Sequence, residues 1–388
     1  MAMPKEPISF EVLGASVRLG PGAVQEVGAF FKKAGSKKVF IATDKGVVKA
    51  GLVKPSLASL EKAQIGYEIF DEIEPNPSDR TVMAGAELFK KTGCQAVLGV
   101  GGGSALDAGK AIQVMAVHPG HVSEYFGVAA ASKINQPKPY YIAVPTTSGT
   151  GSEVSRGCVI TNAVTNTKSV VRAGLPQLAV IDPEMTLSLP PFLTAATGMD
   201  ALSHSVEACV SNAYNPICMA LALEGIRLIG RSLKTAVQKG TDLEARLDMA
   251  VASMMGALAF QKGLGAAHSL AHQLSTEAGI QHGVANSILL PHVMRFNLNE
   301  ASRELSEIGR ALGENGSSLS AAEAGERACA AVTRLSREIG LPQRLRDVEV
   351  KESQIPLMAE KAMGDWCHPF NPRPCRQADM ESLYKEAY

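Results

Sequence analysis

The sequence predicts two successive domains, an α/β domain at residues 1–188 and an all-α domain at 189–388. Three observations carry this reading. Short apolar runs alternate with helical patterns through the first half, the spacing of βαβ units around a parallel sheet. Leu189-Pro190-Pro191 interrupts that alternation. Beyond it, the apolar patterns have a helical period.

Taken in order, residues 8–19 read as a β-hairpin turning at Gly14, and Gly20-Pro21-Gly22 opens a helix to about Lys33. Val39 to Thr43 is an apolar strand, a second helical stretch ends near Lys62, and Tyr67 to Ile73 is a strand. Asn76-Pro77-Ser78-Asp79 punctuates the chain and caps a helix over 80–91. Ala96 to Val100 is short and wholly apolar, as suits a strand covered on both faces. Ser104 opens the next helix, with Asp107 completing a capping box. A strand at 140–144 and short strands at 158–161, 168–171 and 178–182 complete this half. The second half shows helical patterns at about 192–211, 216–230, 242–262, 265–277, 284–298, 301–313, 320–339, 351–363 and 377–386.

Composition narrows the function. The 388 residues are 46% hydrophobic and 20% charged, with 38 basic side chains against 38 acidic ones. A formal net charge of zero supplies no general attraction to nucleic acid or to an anionic membrane, so a small-molecule substrate is expected. The seven cysteines are scattered and form no C-x-x-C pair, which suits a reducing cytoplasm. The first ten residues have no apolar signal core, and no run approaches the roughly 18–20 apolar residues that span a bilayer.

The turn Gly101-Gly102-Gly103 follows a strand and precedes a helix. Glycines there let the backbone approach a phosphate closely, and the helix start presents free N–H groups to it. Leu106 at the third glycine position excludes G-x-G-x-x-G, and Gly109-Lys110 lacks the rest of a P-loop. The turn could also serve chain geometry alone. Asp44 stands just after the strand 39–43, where an acid can accept from a ribose 2′-hydroxyl and repel a 2′-phosphate, favouring NAD over NADP. It precedes the glycine turn instead of following it, so the strand order must differ from the common dinucleotide fold. Asp44 could equally be a turn residue. A second loop of small and hydroxyl residues, Pro145 to Glu153, suits the polar wall of a nucleotide site, and Lys168 is a candidate ribose or phosphate contact.

In the second half, Asp200 and His204 stand four apart on an alanine-rich, buried helical stretch, which places them on one face. Two such groups in an apolar interior need a partner: each other, or a metal ion. His268 and His272 repeat the spacing, and His282-Gly283 ends the loop that follows. Two helical pairs and a loop histidine can converge on one ion, and a set offering only nitrogen and oxygen suits Fe2+, Zn2+, Mn2+, Ni2+ or Co2+. His118, His121, His292 and His368 stand isolated. Phe260 and the segment Trp366 to Phe370 are candidate wall residues.

Gly101 to Lys110, Pro145 to Glu153, Ala195 to His204, and Gly265 to His272 with His282-Gly283 occur in order along nearly the whole chain. In these stretches the chain resembles the iron-containing (group III) alcohol dehydrogenases, which have a dehydroquinate synthase-like fold. The resemblance implies a parallel dinucleotide-binding sheet, NAD, and one divalent metal, Fe2+ foremost and Zn2+ or another divalent ion otherwise. It implies metal ligands at Asp200, His204, His268 and His282, with His272 beside the nicotinamide as proton relay or packing surface. NAD contacts would fall at Asp44, Asn76, Gly102, Gly103, Ser104, Thr146, Thr147, Ser155, Lys168 and Met185. A fourth ligand at His282 is similar to the iron-type branch rather than to the three-ligand zinc branch. The implied reaction is hydride transfer between NAD(H) and a small primary or secondary alcohol or aldehyde, by a cytoplasmic homodimer built through the N-terminal hairpin. The alternative is an NAD- and metal-dependent lyase of the dehydroquinate synthase kind without net redox. The lack of a dense basic cluster for a phosphorylated carboxylic substrate counts against it.

Overall fold

The structure, a computed structural model, describes residues 8–12, 14–314 and 318–388. Its contacts divide the chain into two compact units. One comprises residues up to Thr147 together with Ser152–Ser188, and the other Ser148–Gly151 with Leu189–Tyr388.

The first unit contains strands β1 (Ile8–Val12), β2 (Ala15–Leu19), β3 (Lys38–Ala42), β4 (Gly66–Phe70), β5 (Ala96–Gly101), β6 (Tyr140–Pro145), β7 (Cys158–Asn162), β8 (Thr167–Val171) and β9 (Leu178–Ile181). Its helices are α1 (Val27–Lys33), α2 (Lys45–Lys49), α3 (Lys54–Lys62), α4 (Asp79–Thr92) and α5 (Gly103–Met115). Seven strands form one sheet in the order β1-β2-β9-β6-β5-β3-β4. Its members from β2 to β4 pair in parallel, and β1 closes the edge antiparallel to β2. β7 and β8 form a separate antiparallel ribbon. Side chains of β3 alternate between two apolar clusters: Val39 and Ile41 enter one, Phe40 and Ala42 the other. With both faces buried, the strands read as continuous apolar runs instead of alternating ones.

The expected capping box at the start of α5 does not form. Gly102 is the cap and Ser104 lies inside the helix. Asp107 instead accepts from the backbone of Val159 at 2.9 Å and from the hydroxyl of Ser152. A carboxylate that can bond across to another loop leaves its own helix end open.

The second unit is helical: α6 (Pro191–Val210), α7 (Pro216–Gln238), α8 (Leu243–Ala259), α9 (Ala266–Glu277), α10 (His282–Phe296), α11 (Leu298–Ala311), α12 (Ala321–Glu338), α13 (Ile355–Ala362) and α14 (Gln377–Ala387). α6 is its centre, with sixteen buried positions running from Thr194 to Val210. Residues 148–151, expected with the sheet from the sequence, cluster with the helices. A Cβ at Gly149 would stand 2.8 Å from Thr197, and one at Gly151 only 2.1 Å from Ala257, so α6 and α8 hold this loop by close backbone approach. His282 is also corrected: it is the first residue of α10, behind a Gln281 cap that accepts from the Val284 N–H at 2.8 Å, and not the end of a loop.

Gly283 lets α10 meet α6, because a Cβ there would lie 2.0 Å from the carbonyl oxygen of Ala196. Gly283→Ala is expected to force the two helices apart at a cost of about 1–3 kcal/mol. Scanning calorimetry should show Tm lowered by several degrees, and an unchanged Tm would show that the contact relaxes without penalty.

Candidate functional site

Two groups of side chains take shape, one in each unit. In the first unit, β3 and β5 are neighbours with Ala42 opposite Gly99, and β5 and β6 pair with Gly101 opposite Pro145. The carboxyl ends of three adjacent strands therefore carry Asp44, the glycine turn and Thr146-Thr147. From β3 the chain steps outward to β4, and from β5 it steps the other way to β6, so the β3–β5 boundary is a topological switch point. This accounts for an acid that precedes the glycine turn in sequence yet lies beside it in space.

Asp44 caps α2 by accepting from the Val47 N–H at 3.0 Å, and a Cβ on Gly101 would lie 3.5 Å from its Oδ2. The Asn76 N–H donates to the Ser104 hydroxyl at 3.2 Å, and the Thr146 N–H donates to the Gly101 carbonyl at 2.9 Å. A Cβ on Gly102 would stand 3.5 Å from Thr147, while Gly103 begins α5. Ser155 accepts from the buried Lys110 ammonium at 3.2 Å. Lys168 is half-buried on β8 opposite Thr161, and Met185 is buried in the core beside β9. Seven of the ten residues thus gather at the strand ends; Ser155, Lys168 and Met185 stand on other elements.

In the second unit, α6, α9 and α10 bring their polar residues to one buried point. Asp200 Oδ1 lies 3.5 Å from His282 Nε2, 3.8 Å from His268 Nε2 and 4.0 Å from His204 Nε2. A tetrahedral ion about 2.1 Å from each donor would separate neighbouring donors by about 3.4 Å. Asp200, His204 and His268 offer donor atoms within 4.8 Å of one another, a set that can close on a divalent ion, while His282 joins the group through Asp200. Burial pushes the His204 pKa down to about 4 against the opposing pull of Asp200, so its imidazole is neutral at neutral pH and has a lone pair to offer.

His268 is oriented by a residue that sequence reasoning missed. Glu207, also on α6 and 2% exposed, accepts from His268 Nδ1 at 2.5 Å and from the Ala267 N–H at 2.7 Å. That bond places the proton on Nδ1 and leaves the Nε2 lone pair facing Asp200. Burial opposes protonation of His268, but the charge and hydrogen bond of Glu207 outweigh it and raise its pKa. The signal was present: Glu207 is three residues after His204 on the same buried face. Asn286, one helical turn after His282, donates to Asp200 Oδ1 at 2.9 Å and is the second residue missed.

His272 stands apart from the Asp200 group. Its Nδ1 donates to Asp365 Oδ2 at 2.7 Å, and its ring stacks on His282 with centroids 5.3 Å apart. Asp365 also accepts from the Ser269 hydroxyl and the Cys367 N–H, both at 2.9 Å. Burial would raise the Asp365 pKa, yet His272 and these donors hold it well below the usual carboxylate range. Asp365 lies 93 residues from its partner, and nothing in the sequence links them.

Glu207→Gln keeps the volume and an acceptor but removes the charge. Chelator competition should show metal affinity weakened by roughly 10–100-fold, with circular dichroism unchanged. Equal affinity would mean that Glu207 only joins α6 to α9. His268→Ala or His282→Ala should abolish retention, and a variant keeping stoichiometric metal by elemental analysis would remove that residue from the ligand set.

The chain also matches known proteins along nearly its whole length. The family profile described as iron-containing alcohol dehydrogenase matches residues 15–183, and that of the Fe-containing alcohol dehydrogenase family, C-terminal, matches 194–388. The 1,3-propanediol dehydrogenase of Klebsiella pneumoniae is 43% identical over 374 residues, 95% of this chain and 96% of that protein. The NAD-dependent methanol dehydrogenase of Bacillus methanolicus is 39% identical over 98% of this chain and 99% of its own. A crystal structure of 1,3-propanediol oxidoreductase superposes with a TM-score of 0.93 at 42% identity, covering 99% of each chain.

Proposed function

Because the chain belongs to the iron-containing alcohol dehydrogenase family and is an oxidoreductase, we propose that it interconverts a small alcohol and its aldehyde or ketone with NAD(H), at one divalent ion held by Asp200, His204, His268 and His282. The observation that carries this reading is the convergence of three imidazole nitrogens within 4.0 Å of one buried carboxylate oxygen. An ion bound there supplies Lewis acidity to the substrate oxygen, lowering the alcohol's pKa. Three nitrogens and one oxygen suit Fe2+, the metal of the family name, and also Zn2+ or a related ion.

The chain's own residues divide the remaining work. Asp44 accepts the ribose hydroxyl bonds that select NAD, while the glycine turn and the first N–H groups of α5 receive the pyrophosphate. Asn76, Ser104, Thr146, Thr147, Ser155, Lys168 and Met185 complete the cofactor contacts. His272, fixed by Asp365 with its proton on Nδ1, offers Nε2 to carry the hydroxyl proton. Beyond the site, we place the protein in the cytoplasm as a homodimer. Seven unpaired cysteines suit a reducing compartment, and the edge strand β1 has backbone groups available for pairing with a second copy. No helix among the described residues is long and apolar enough to cross a membrane.

The test is NADH consumption by the metal-loaded protein against a panel of short aldehydes and ketones. Steady turnover, lost on chelation and restored by Fe2+ or Zn2+, is the expected result. A lyase of the dehydroquinate synthase kind would consume no net NADH, so product formation from such a substrate without NADH loss would overturn the proposal.

A further inference from the structure

The segment between Asp365 and Asn371 is strapped to the start of α9 at both ends. Asp365 holds His272 and Ser269, and the Ser269 hydroxyl in turn accepts from the His368 N–H at 2.8 Å. At the other end Asn371 Oδ1 accepts from the Ala266 N–H at 3.3 Å and from Asn297 Nδ2 at 3.0 Å. Asp365, Cys367 and Asn371 are buried, yet Trp366 between the first two keeps 39% of its surface exposed. The backbone on either side is held by these hydrogen bonds. Its ring lies 5.0 Å from that of His272, tilted by 37°, and extends the row of rings that runs from His282 through His272. A partly exposed large apolar ring packed beside a polar cluster is a ready surface for an apolar ligand group. The groups bonded to the neighbouring histidines are the carboxylates of Glu207 and Asp365, which disfavour an anionic substituent.

We propose that Trp366 is the specificity-determining wall of the alcohol site, packing on the substrate's substituent and favouring alcohols with an extended apolar chain or ring over polyols and charged alcohols. The inference rests on the dehydrogenase reading above and adds the substrate class to it. Trp366 acts by contact with the part of the substrate remote from the reacting carbon, so its contribution falls on KM more than on kcat.

Trp366 is the chain's single tryptophan, so the same residue can be tested by two independent readouts. In the first, kcat/KM for 1-hexanol and for 1,3-propanediol is compared between the wild type, Trp366→Phe and Trp366→Ala. The ratio favouring hexanol should fall by about tenfold or more in Trp366→Ala, through KM, and be largely kept in Trp366→Phe. A ratio unchanged in Trp366→Ala, or equal losses for both alcohols, overturns the wall while leaving the dehydrogenase reading intact. In the second, tryptophan emission of the metal-loaded wild type is titrated with hexanol and with glycerol. A saturable change with hexanol and none with glycerol supports the wall, and identical responses overturn it. If the wild type oxidises no alcohol, the dehydrogenase reading fails and this titration alone decides whether the indole receives an apolar ligand.

Discussion

The helical unit is organised around the cost of placing the Asp200 carboxylate inside it. A charge in an apolar interior costs several kcal/mol unless opposite charge or hydrogen bonds meet it. Here the Asn286 amide donates to one carboxylate oxygen, and three imidazole nitrogens lie within 4.0 Å of the same oxygen, where a shared divalent ion would supply the opposite charge. That requirement dictates how closely three helices must approach. Ala196 against Gly283 sets the separation of α10 from α6, and Gly198 leaves room for Leu233 of α7 on another side of α6. The run of alanines and glycines, compositionally bland, lets backbones come close enough for short side chains to share one point.

The histidines are themselves held. Glu207 fixes the tautomer of His268 and Asp365 that of His272, so the two imidazoles of α9 are oriented by carboxylates from opposite directions along the chain. The two arrangements differ in what they serve. His268 turns its second nitrogen toward Asp200, whereas His272 is carried past that point and stacks on the outer histidine, His282. One helical turn therefore separates a candidate ligand from a candidate proton carrier. Such support keeps reactive groups within the narrow tolerance that chemistry demands.

In the sheet unit the ordering device is topological. Reversal of the winding direction between β3 and β5 makes the loops after these neighbouring strands diverge, and those loops carry Asp44 and the glycine turn. The turn is stiffened from beneath. Asp107 ties α5 to the loop after β6 and to β7, and Lys110, wholly buried, bonds to Ser155 and to the carbonyl of Gly157. These bonds replace the capping box expected from the spacing of Ser104 and Asp107. A carboxylate is used where it has several donors to satisfy, and a helix start facing a phosphate site does well to keep its N–H groups uncommitted.

The sequence by itself determined the two-part architecture and nearly every helix and strand, because apolar periodicity is a local property that tertiary context rarely overrides in long elements. It also determined the pairs Asp200–His204 and His268–His272, since a spacing of four has one meaning on a helix. It could not place His282 at the head of α10, because the Gln281 cap shows only in three dimensions. Nor could it attach Glu207 to His268, Asp365 to His272, or Trp366 to the row of rings beside them. Those links join residues as much as 94 positions apart. Local propensity carries no information about which distant carboxylate will face which imidazole; only the packing of one helix on another decides it.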